Sequence, residues 1–398
     1  MATKKTKQSV LDSAPEAPAA GAGGGGGASP LRISEFGEIL GQQHAISLLM
    51  AAAQAERIHH AWIFHGPAGV GKFTTALAFA AMLLDPTTAP DLAGVLAPDP
   101  GSETQRLLRA GAHPDLHIIT KELAAVSREP TVRTSKQRVI PVDVVREFLI
   151  EPAQRTRSVV NRSLAGKVFI VDEAELLRAD AQDVMLKTLE EPAPGSVIIL
   201  ITSSEDRLLP TVRSRCQRIA FTPLDDAAMG VWYDRSGMPT EPREHREWLI
   251  RYAGGSPGWV TQAVEHGLFA WQQTLEPPLT HIDAGRPVPE LGAALHTLVE
   301  EKAAAWVKTN PEASKEAANF AWSRRMFAFL AERYRLAYRE SLMRGGSPGS
   351  SERFLRAVET IMAAEGHAAA NVNIQFVMEN LAAQLSVRLS RPAPRPAR

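Results

Sequence analysis

The sequence predicts an α/β fold built on a parallel sheet, followed by segments that are entirely helical. Three observations predict it. Short β-rich runs alternate with segments of helical length, which is typical of a parallel sheet covered on both faces. A glycine-rich loop over residues 66–73 joins one such run to a helix, and the strand signals stop after Pro223. The β-rich runs are residues 61–64, 116–119, 168–171, 197–201 and 218–221.

The composition is that of an ordinary globular protein. The chain has 398 residues, of which 44% are hydrophobic and 22% are charged, and this length suggests two or three domains. With 44 basic and 44 acidic residues the formal charge is zero, so no overall field points to nucleic acid or membrane. The single cysteine, Cys216, excludes an internal disulfide framework and any zinc site built from several cysteines. We therefore expect no zinc and a reducing, cytoplasmic location.

The two ends of the chain are predicted to be tails. Residues 1–30 begin with lysines, continue through an alanine- and proline-rich stretch and end in a glycine run. No apolar segment follows the lysines, which argues against a signal peptide, and no arginine precedes Arg32, which argues against a transit peptide. We predict a disordered segment here and a second tail over the proline-rich residues 391–398.

Two segments interrupt the predicted alternation of strands and helices, and only helices are predicted after the sheet. Residues 85–111 contain four prolines and are predicted to be a loop insertion. The basic residues 128–138 are predicted to be exposed, either as a nucleic-acid contact or as a solvated face. Residues 224–263 predict short helices that end at the glycine-rich turn at 254–258. Helices are further predicted over 317–342, 354–363 and 374–389. The predicted domains are a tail (1–30), an α/β domain (31–222), a helical lid domain (223–265), a C-terminal helical domain (266–390) and a tail (391–398).

The glycine-rich loop GPAGVGKF is a phosphate-binding loop in every position but the last. A working loop reads G-x-x-x-x-G-K-[ST], in which backbone amides surround the phosphates, the lysine reaches them and the hydroxyl holds Mg²⁺. Phe73 stands where the hydroxyl belongs, and a phenyl ring cannot ligate a hard cation. The loop is therefore expected to hold a nucleotide without hydrolysing it efficiently. The residues in place are Gly66, Gly69, Gly71 and Lys72.

A pair of acids follows the third β-rich run. Asp172 and Glu173 come directly after VFIV, 100 residues beyond Lys72. In P-loop ATPases the first such acid holds Mg²⁺ and the second orients the attacking water. The same pattern also fits acids that cap the helix after the strand. Both interpretations stay open on the sequence alone.

Four motifs in a fixed order carry a family resemblance. The P-loop is followed by VDEAELL, LKTLEEP and LLPTVRSRC. This series resembles the AAA+ clamp-loader subunits of bacterial DNA polymerase III, strongly over residues 36–260 and weakly in the terminal helix NVNIQFVMENLAAQL. The resemblance implies a P-loop AAA+ sheet domain, a small helical lid domain and a C-terminal all-α collar domain. Aromatic and apolar residues of the collar are expected to lie mostly in the core: Phe327, Phe329, Leu330, Tyr334 and Leu336.

Three departures separate this chain from the motor subunits of that family. Those subunits keep the P-loop hydroxyl, carry four zinc-binding cysteines and have a phosphate-sensing arginine in the lid. Here Phe73 replaces the hydroxyl, the 85–111 segment has no cysteine, and Gly258 stands in place of the arginine. The runs HAWIFHGP and AGAHPDLHII are instead similar to the delta-prime branch of the family. Without a zinc module, the 85–111 segment must be ordered by packing or remain mobile.

The resemblance also implies roles for single residues. Arg215, in the SRC motif, would reach in trans into the ATP site of a neighbouring subunit; alternatively, it forms a local salt bridge. Thr74 matches a second hydroxyl near the α-phosphate or is simply a first-turn helix residue. Ser203 matches the family's γ-phosphate sensor or is an ordinary exposed serine. Asp172 and Glu173 would retain at least a structural role, and Cys216 is expected to be a small buried side chain.

The function implied is that of a non-motor, stator-like subunit in a clamp loader. Expected partners are the ATPase motor subunits, the clamp-opening delta subunit, the sliding clamp and, through the complex, primed DNA. Two rival functions remain open. One is an ATP-hydrolysing motor in which Thr74 or water replaces the lost ligand. The other is a pure interaction scaffold with an empty, vestigial nucleotide site.

Overall fold

The structure is a computed structural model, and it divides into two compact units. Unit 1 consists of the described residues up to Trp232 together with Ser256–Thr261. Unit 2 consists of Tyr233–Gly255 and the described residues from Gln262 onward. The predicted lid and collar boundaries divide the chain more finely and stay predictions. The structure describes residues 30–55, 58–91, 94–133, 139–155, 163–239, 243–309, 315–345, 348–370 and 372–390.

Unit 1 contains a parallel five-stranded sheet. Its strand order is β4-β5-β6-β1-β7, and a separate antiparallel hairpin joins β2 to β3. The five predicted strands are confirmed to within a residue or two at each end, and the parallel α/β fold is confirmed with them. The strands are β1 (Ala61–His65), β2 (Ala89–Pro90), β3 (Leu96–Ala97), β4 (Leu116–Ile119), β5 (Lys167–Val171), β6 (Ser196–Thr202) and β7 (Gln217–Ala220).

Helices account for most of the remaining described residues. Short 3-10 turns lie at Phe36–Glu38, Lys121–Val126, Ala174–Leu176 and Glu205–Arg207, and a π-helical segment lies at Arg146–Ile150. None of the described helices is long and apolar enough to span a membrane. The helices are α1 (Gln43–Gln54), α2 (Lys72–Leu84), α3 (Glu103–Arg109), α4 (Pro130–Arg133), α5 (Val142–Val145), α6 (Glu151–Gln154), α7 (Ala179–Glu190), α8 (Pro210–Arg213), α9 (Asp226–Arg235), α10 (Arg243–Tyr252), α11 (Pro257–Glu265), α12 (Phe269–Asp283), α13 (Leu291–Thr309), α14 (Lys315–Met343), α15 (Pro348–Ala369) and α16 (Ile374–Ser390).

Alternate residues of each central strand enter different cores. Trp62 and Phe64 of β1 pack with α1 and α2 on one face of the sheet. Ile63, between them, packs on the other face with α5 and α7. Because successive side chains of a strand point to opposite faces, a strand buried on both sides must be apolar throughout. This requirement explains why the central strands read as continuous hydrophobic runs.

The 85–111 segment is more regular than the predicted loop insertion. It contains the β2–β3 hairpin and helix α3, which Ser102 caps by accepting a hydrogen bond from the Gln105 amide at 3.0 Å. The buried Asp85 carboxylate accepts further bonds from the Ser102 hydroxyl at 2.5 Å and the Gln105 side chain at 2.9 Å. These bonds hold the pKa of Asp85 below its ordinary value despite burial, which acts in the opposite direction. The segment is therefore ordered by polar packing around one carboxylate.

The basic segment is only partly described. Residues 134–138 lie outside the described residues, as do residues 1–29 and 391–398 of the two predicted tails. Within the described part, Arg128 is 69% exposed and contacts Glu147 and Glu151. Of the two interpretations, this local pairing favours a solvated face for Arg128.

Unit 2 is helical, and its core is aromatic. Helices α13 to α16 pack against one another, and the C-terminal helices predicted from the sequence are confirmed. Tyr334 is fully buried, and the neighbouring Arg333 makes a bidentate contact with Glu276 of α12. Leu336 is partly exposed. The other residues expected in the core are buried there: Phe327, Phe329, Leu330 and Tyr334.

Candidate functional site

The candidate site lies in unit 1, at the carboxyl ends of three neighbouring strands. The glycine loop begins directly after β1, Asp172 follows β5 and Ser203 follows β6. Because these strands are parallel, their carboxyl ends meet at one edge of the sheet, where α/β folds bind ligands. The structure thus brings together the three elements that the sequence analysis selected separately.

The loop conformation requires glycine at its first position. Gly66 has a φ of 140°, a conformation that residues with a side chain rarely adopt. A Cβ atom at this position would lie 2.1 Å from the Phe221 carbonyl oxygen, which is far closer than any real contact. At the end of the loop, Gly71 has a φ of 103° and precedes the first residue of α2. The loop can therefore turn from β1 into α2 only with glycine at these places.

The backbone carbonyl groups and the backbone amide groups of the loop differ in their hydrogen bonding. Every carbonyl from residue 66 to residue 71 accepts a hydrogen bond, whereas no backbone amide from residue 68 to residue 73 donates one to another described residue. Free amides at a helix N-terminus are the donors that bind an anion such as phosphate. The loop therefore presents donors that suit an anion such as a phosphate. The bonds to residues 68–71 run from Ser256 Oγ to Ala68 O (3.0 Å), Gly258 N to Gly69 O (2.9 Å), Gln42 Nε2 to Val70 O (3.1 Å) and Thr75 Oγ1 to Gly71 O (2.9 Å).

Lys72 is buried within its own loop. Its ammonium group donates to the Gly66 carbonyl at 2.6 Å and to the Pro67 carbonyl at 2.5 Å. Burial lowers the pKa of Lys72 from 10.5 to about 8, while the charges of Glu175 and Asp172 act in the opposite direction. The ammonium is therefore held by backbone carbonyls where a phosphate would supply stronger acceptors.

Phe73 belongs to the core. Its ring is half-buried and packs against the apolar cluster between the sheet and α2. The neighbouring Thr74 is also half-buried in the first turn of α2, and the Thr75 hydroxyl is bonded to the Gly71 carbonyl. Replacement of the hydroxyl by a phenyl group thus adds to core packing at the position where a metal ligand would stand. The role suggested for Thr74 near the α-phosphate stays a prediction.

The acid pair after β5 is split between two environments. Burial and the charge of Glu173 raise the pKa of Asp172 from 3.8 to about 6. Glu173 has a φ of 49°, and its backbone amide donates to Asp172 Oδ1 at 3.0 Å. The Glu173 carboxylate forms an ion pair with Lys121, in the turn after β4. Asp172 is therefore a buried acid whose ionisation is disfavoured. Glu173 instead pairs with Lys121 of the neighbouring turn.

A third carboxylate, which the sequence analysis missed, lies between the acid pair and Ser203. Glu175 Oε1 accepts from the Ser203 hydroxyl at 2.5 Å and from the Ser203 amide at 3.2 Å. Its other oxygen is buried and accepts no hydrogen bond from the described residues. Because Glu175 also attracts Lys72, it links the P-loop to the residue expected to sense phosphate. Still, no three acid, histidine or cysteine side chains in the described ranges are arranged to hold a metal ion.

Arg215 lies apart from this loop, in a surface pocket of about 530 Å³. Its guanidinium donates to the Thr211 carbonyl at 2.8 Å and forms an ion pair with Glu190 at 2.5 Å, and its side chain is 34% exposed. The local salt bridge considered for this residue is thus present in the free chain. Cys216, next to it, packs against the core on the sheet face covered by α5 and α7, and burial raises the pKa of its thiol to about 12. That thiol is protonated at neutral pH and therefore a poor nucleophile.

About half of this chain is similar in sequence to known proteins. Residues 41–225 match the family described as DNA polymerase III, delta subunit. The chain is 36% identical over 202 residues to DNA polymerase III subunit delta' of Pseudomonas aeruginosa, a match covering 50% of this chain and 53% of that relative. Subunit delta' of Bacillus subtilis is 28% identical over 188 residues, covering 47% and 50%. The chain thus spans about half the length of these curated relatives.

Two solved structures align with this chain at low sequence identity. A DNA polymerase III gamma-subunit-related protein of Thermotoga maritima aligns with 86% of this chain and 99% of its own, at 15% identity and a TM-score of 0.41. A mutant form of RuvB from Thermotoga maritima aligns with 62% of this chain and 67% of its own, at 13% identity and a TM-score of 0.37. At these scores the alignments add nothing to the sheet topology described above.

Proposed function

We propose that the chain is a delta-prime-type, non-motor subunit of a DNA polymerase III clamp loader. Residues 41–225 match the family described as DNA polymerase III, delta subunit, and half of the chain is similar to a subunit delta', which supports this proposal. In this role it would assemble with ATPase motor subunits and a clamp-opening delta subunit, and would help place the sliding clamp on primed DNA. The observation that carries the proposal is Phe73. Its ring packs in the core at the position where a motor needs a metal-binding hydroxyl.

The proposal includes nucleotide binding without turnover. The unbonded amides of residues 68–73 and the ammonium of Lys72 would hold the phosphates of ATP. These free donors favour a functional cradle over an empty, vestigial site. When bound, the nucleotide would add negative charge that pairs with Lys72. At position 73 the chain offers no hydroxyl to retain Mg²⁺ beside those phosphates.

The second part of the proposal concerns Arg215. A guanidinium that is permanently charged and offers several donors can stabilise the charge on transferring phosphoryl oxygens. Arg215 lines a surface pocket and is partly exposed, which supports a role towards a neighbouring subunit. In the assembled loader it would act on the ATP of that neighbour.

Two measurements test the proposal. The isolated chain should bind a fluorescent ATP analogue and should show negligible ATP turnover, with or without primed DNA. The Lys72→Met variant, which keeps the side-chain length but not the charge, should lose binding. Stimulated turnover by the isolated chain would identify a motor subunit, and equal absence of binding in both proteins would identify an empty scaffold.

The assembled loader tests Arg215. Reconstitution with Arg215→Ala should preserve subunit assembly but lower the ATPase rate of the complex by about 10³-fold at the site that the arginine serves. Arg213→Ala, two residues earlier in the same segment, serves as the matched control. Full activity of the Arg215→Ala complex would remove the finger from the proposal.

A further inference from the structure

The pocket that contains Arg215 also contains a carboxylate that holds it. Arg215 Nη2 contacts Glu190 Oε1 at 2.5 Å, and Arg215 Nη1 donates to the Thr211 carbonyl at 2.8 Å. Two of the three guanidinium nitrogens are thus occupied by groups of this chain. The side chains of Arg215 and Glu190 are nevertheless 34% and 49% exposed. The guanidinium is oriented without being removed from solvent.

The backbone next to Glu190 is hydrogen-bonded to the residue that precedes strand β1. Glu190 is the last residue of α7, and the carbonyl of the preceding Leu189 accepts a hydrogen bond at 2.8 Å from Nε2 of His60. His60 stands directly before β1, so this bond ties the end of α7 to the central strand. Such a bond requires the proton on Nε2 of the imidazole. The backbone that carries the Glu190 carboxylate is therefore held by this bond and not only by the loop that follows α7.

The backbone under Arg215 is fixed from the other side of the pocket. The Arg215 amide donates to the Val212 carbonyl at 3.1 Å, at the end of α8. Cys216, the next residue, packs against the core cluster that also contains Val212. The backbone of both partners of the ion pair is therefore held in place, next to the buried Leu189 and the partly buried Cys216. Only their side-chain torsions remain to be fixed, and the ion pair fixes them.

We propose that Glu190 is a positioning residue for the Arg215 finger. It holds the guanidinium in one orientation, so that the guanidinium is already oriented when it contacts the phosphates of ATP in a neighbouring subunit. The inference rests on the proposed function, in which Arg215 acts in trans. An unrestrained arginine has many rotamers, and ordering them during the reaction slows it. An exposed ion pair contributes little to stability, so Glu190 orients Arg215 without preventing it from contacting phosphate.

The test uses the reconstituted loader with ATPase as the measured activity. Glu190→Gln keeps the shape of the side chain and removes its charge. We expect kcat to fall about 3- to 10-fold while KM for ATP stays unchanged, because an orientation made before the reaction is lost while ground-state binding of ATP is not. The exposed Glu191 provides the matched control, and Glu191→Gln should leave kcat unchanged. Thermal unfolding of each variant subunit checks that folding is intact.

Combining the substitutions separates this inference from the proposed function. If Glu190 acts through Arg215, Glu190→Gln should have no further effect in an Arg215→Ala background. An equal loss in both backgrounds, or a Glu190→Gln complex as fast as wild type or faster, would overturn the role of Glu190 while leaving the finger intact. Full activity of the Arg215→Ala complex would instead overturn the finger itself, and the inference with it.

Discussion

Replacing Asp172 with asparagine is expected to stabilise unit 1 at neutral pH, and to do so less in acid. The pKa of this carboxyl is raised from 3.8 to about 6, chiefly by burial and then by the charge of Glu173. An acid whose pKa is higher in the folded chain favours folding only while it is protonated. Its ionisation therefore makes the free energy of unfolding decrease as the pH rises from about 4 to about 6.

The size of the effect follows from the same pKa difference. At pH 7 ionised Asp172 costs about 3 kcal/mol, and at pH 5 about 1.5 kcal/mol. Asparagine removes this cost and still offers an oxygen to the Glu173 amide, which donates to Asp172 Oδ1 at 3.0 Å. The lost attraction to Lys72 does not reverse the sign, because it is the smallest of the influences on this carboxyl.

Hydrogen–deuterium exchange of peptides from β5 and β6 measures the opening free energy of unit 1 alone. Comparing Asp172→Asn with wild type at each pH cancels the intrinsic pH dependence of exchange. The exposed Asp183, on α7, provides the control, and Asp183→Asn should change nothing at either pH. A gain that is absent at pH 7, or equal at pH 5 and pH 7, would refute the assignment of a strained charge to Asp172.

Three further predictions concern Gly66 in the loop, Gln42, whose side chain is hydrogen-bonded to the loop, and Cys216. Gly66→Ala should destabilise unit 1 by about 3 kcal/mol or more, since its Cβ would collide with a backbone carbonyl; urea unfolding should show no such loss for Gly37→Ala, where nothing lies within 4 Å. Gln42→Ala should cost about 1–3 kcal/mol in the same assay, because it removes three hydrogen bonds and leaves the buried Val70 carbonyl unpaired, whereas the exposed Gln43→Ala should not. Cys216 should react slowly with a disulfide reagent at pH 8 in the native chain and rapidly in urea, because burial raises its pKa to about 12; fast native labelling would contradict this.

Local signals were sufficient for the sheet and for the position of the site. The central strands are nearly continuous apolar runs, so the pattern alone places Gly66, Asp172 and Ser203 at one edge. The loop glycines needed no tertiary information either, because the conformation at Gly66 is reserved for glycine. Ranges this short and this apolar leave few alternatives to a buried parallel strand.

Contacts between segments were beyond what the sequence could predict. Glu175 lies only two residues after Glu173, but its importance comes from Ser203 on a different strand. Similarly, Glu190 lies within a motif that carried the family resemblance, and only the fold brings it to Arg215. Helix α3 is a different case. The run Ser-Glu-Thr-Gln over 102–105 has the spacing of a capping box, a signal that the surrounding prolines outweighed.

The close approach of two glycines shows why the loop cannot be understood from its motif alone. The Gly258 amide donates to the Gly69 carbonyl at 2.9 Å, and a Cβ at position 258 would lie 2.8 Å from the Gly69 Cα. Any side chain at position 258 would therefore require the turn to move away from the loop. Glycine at position 258 therefore allows a backbone contact with the Gly69 carbonyl, while the backbone amides of residues 68–73 donate no hydrogen bond to another described residue. The motif alone identifies the glycines of the loop, but only the fold shows which of its backbone groups are left to bind an anion.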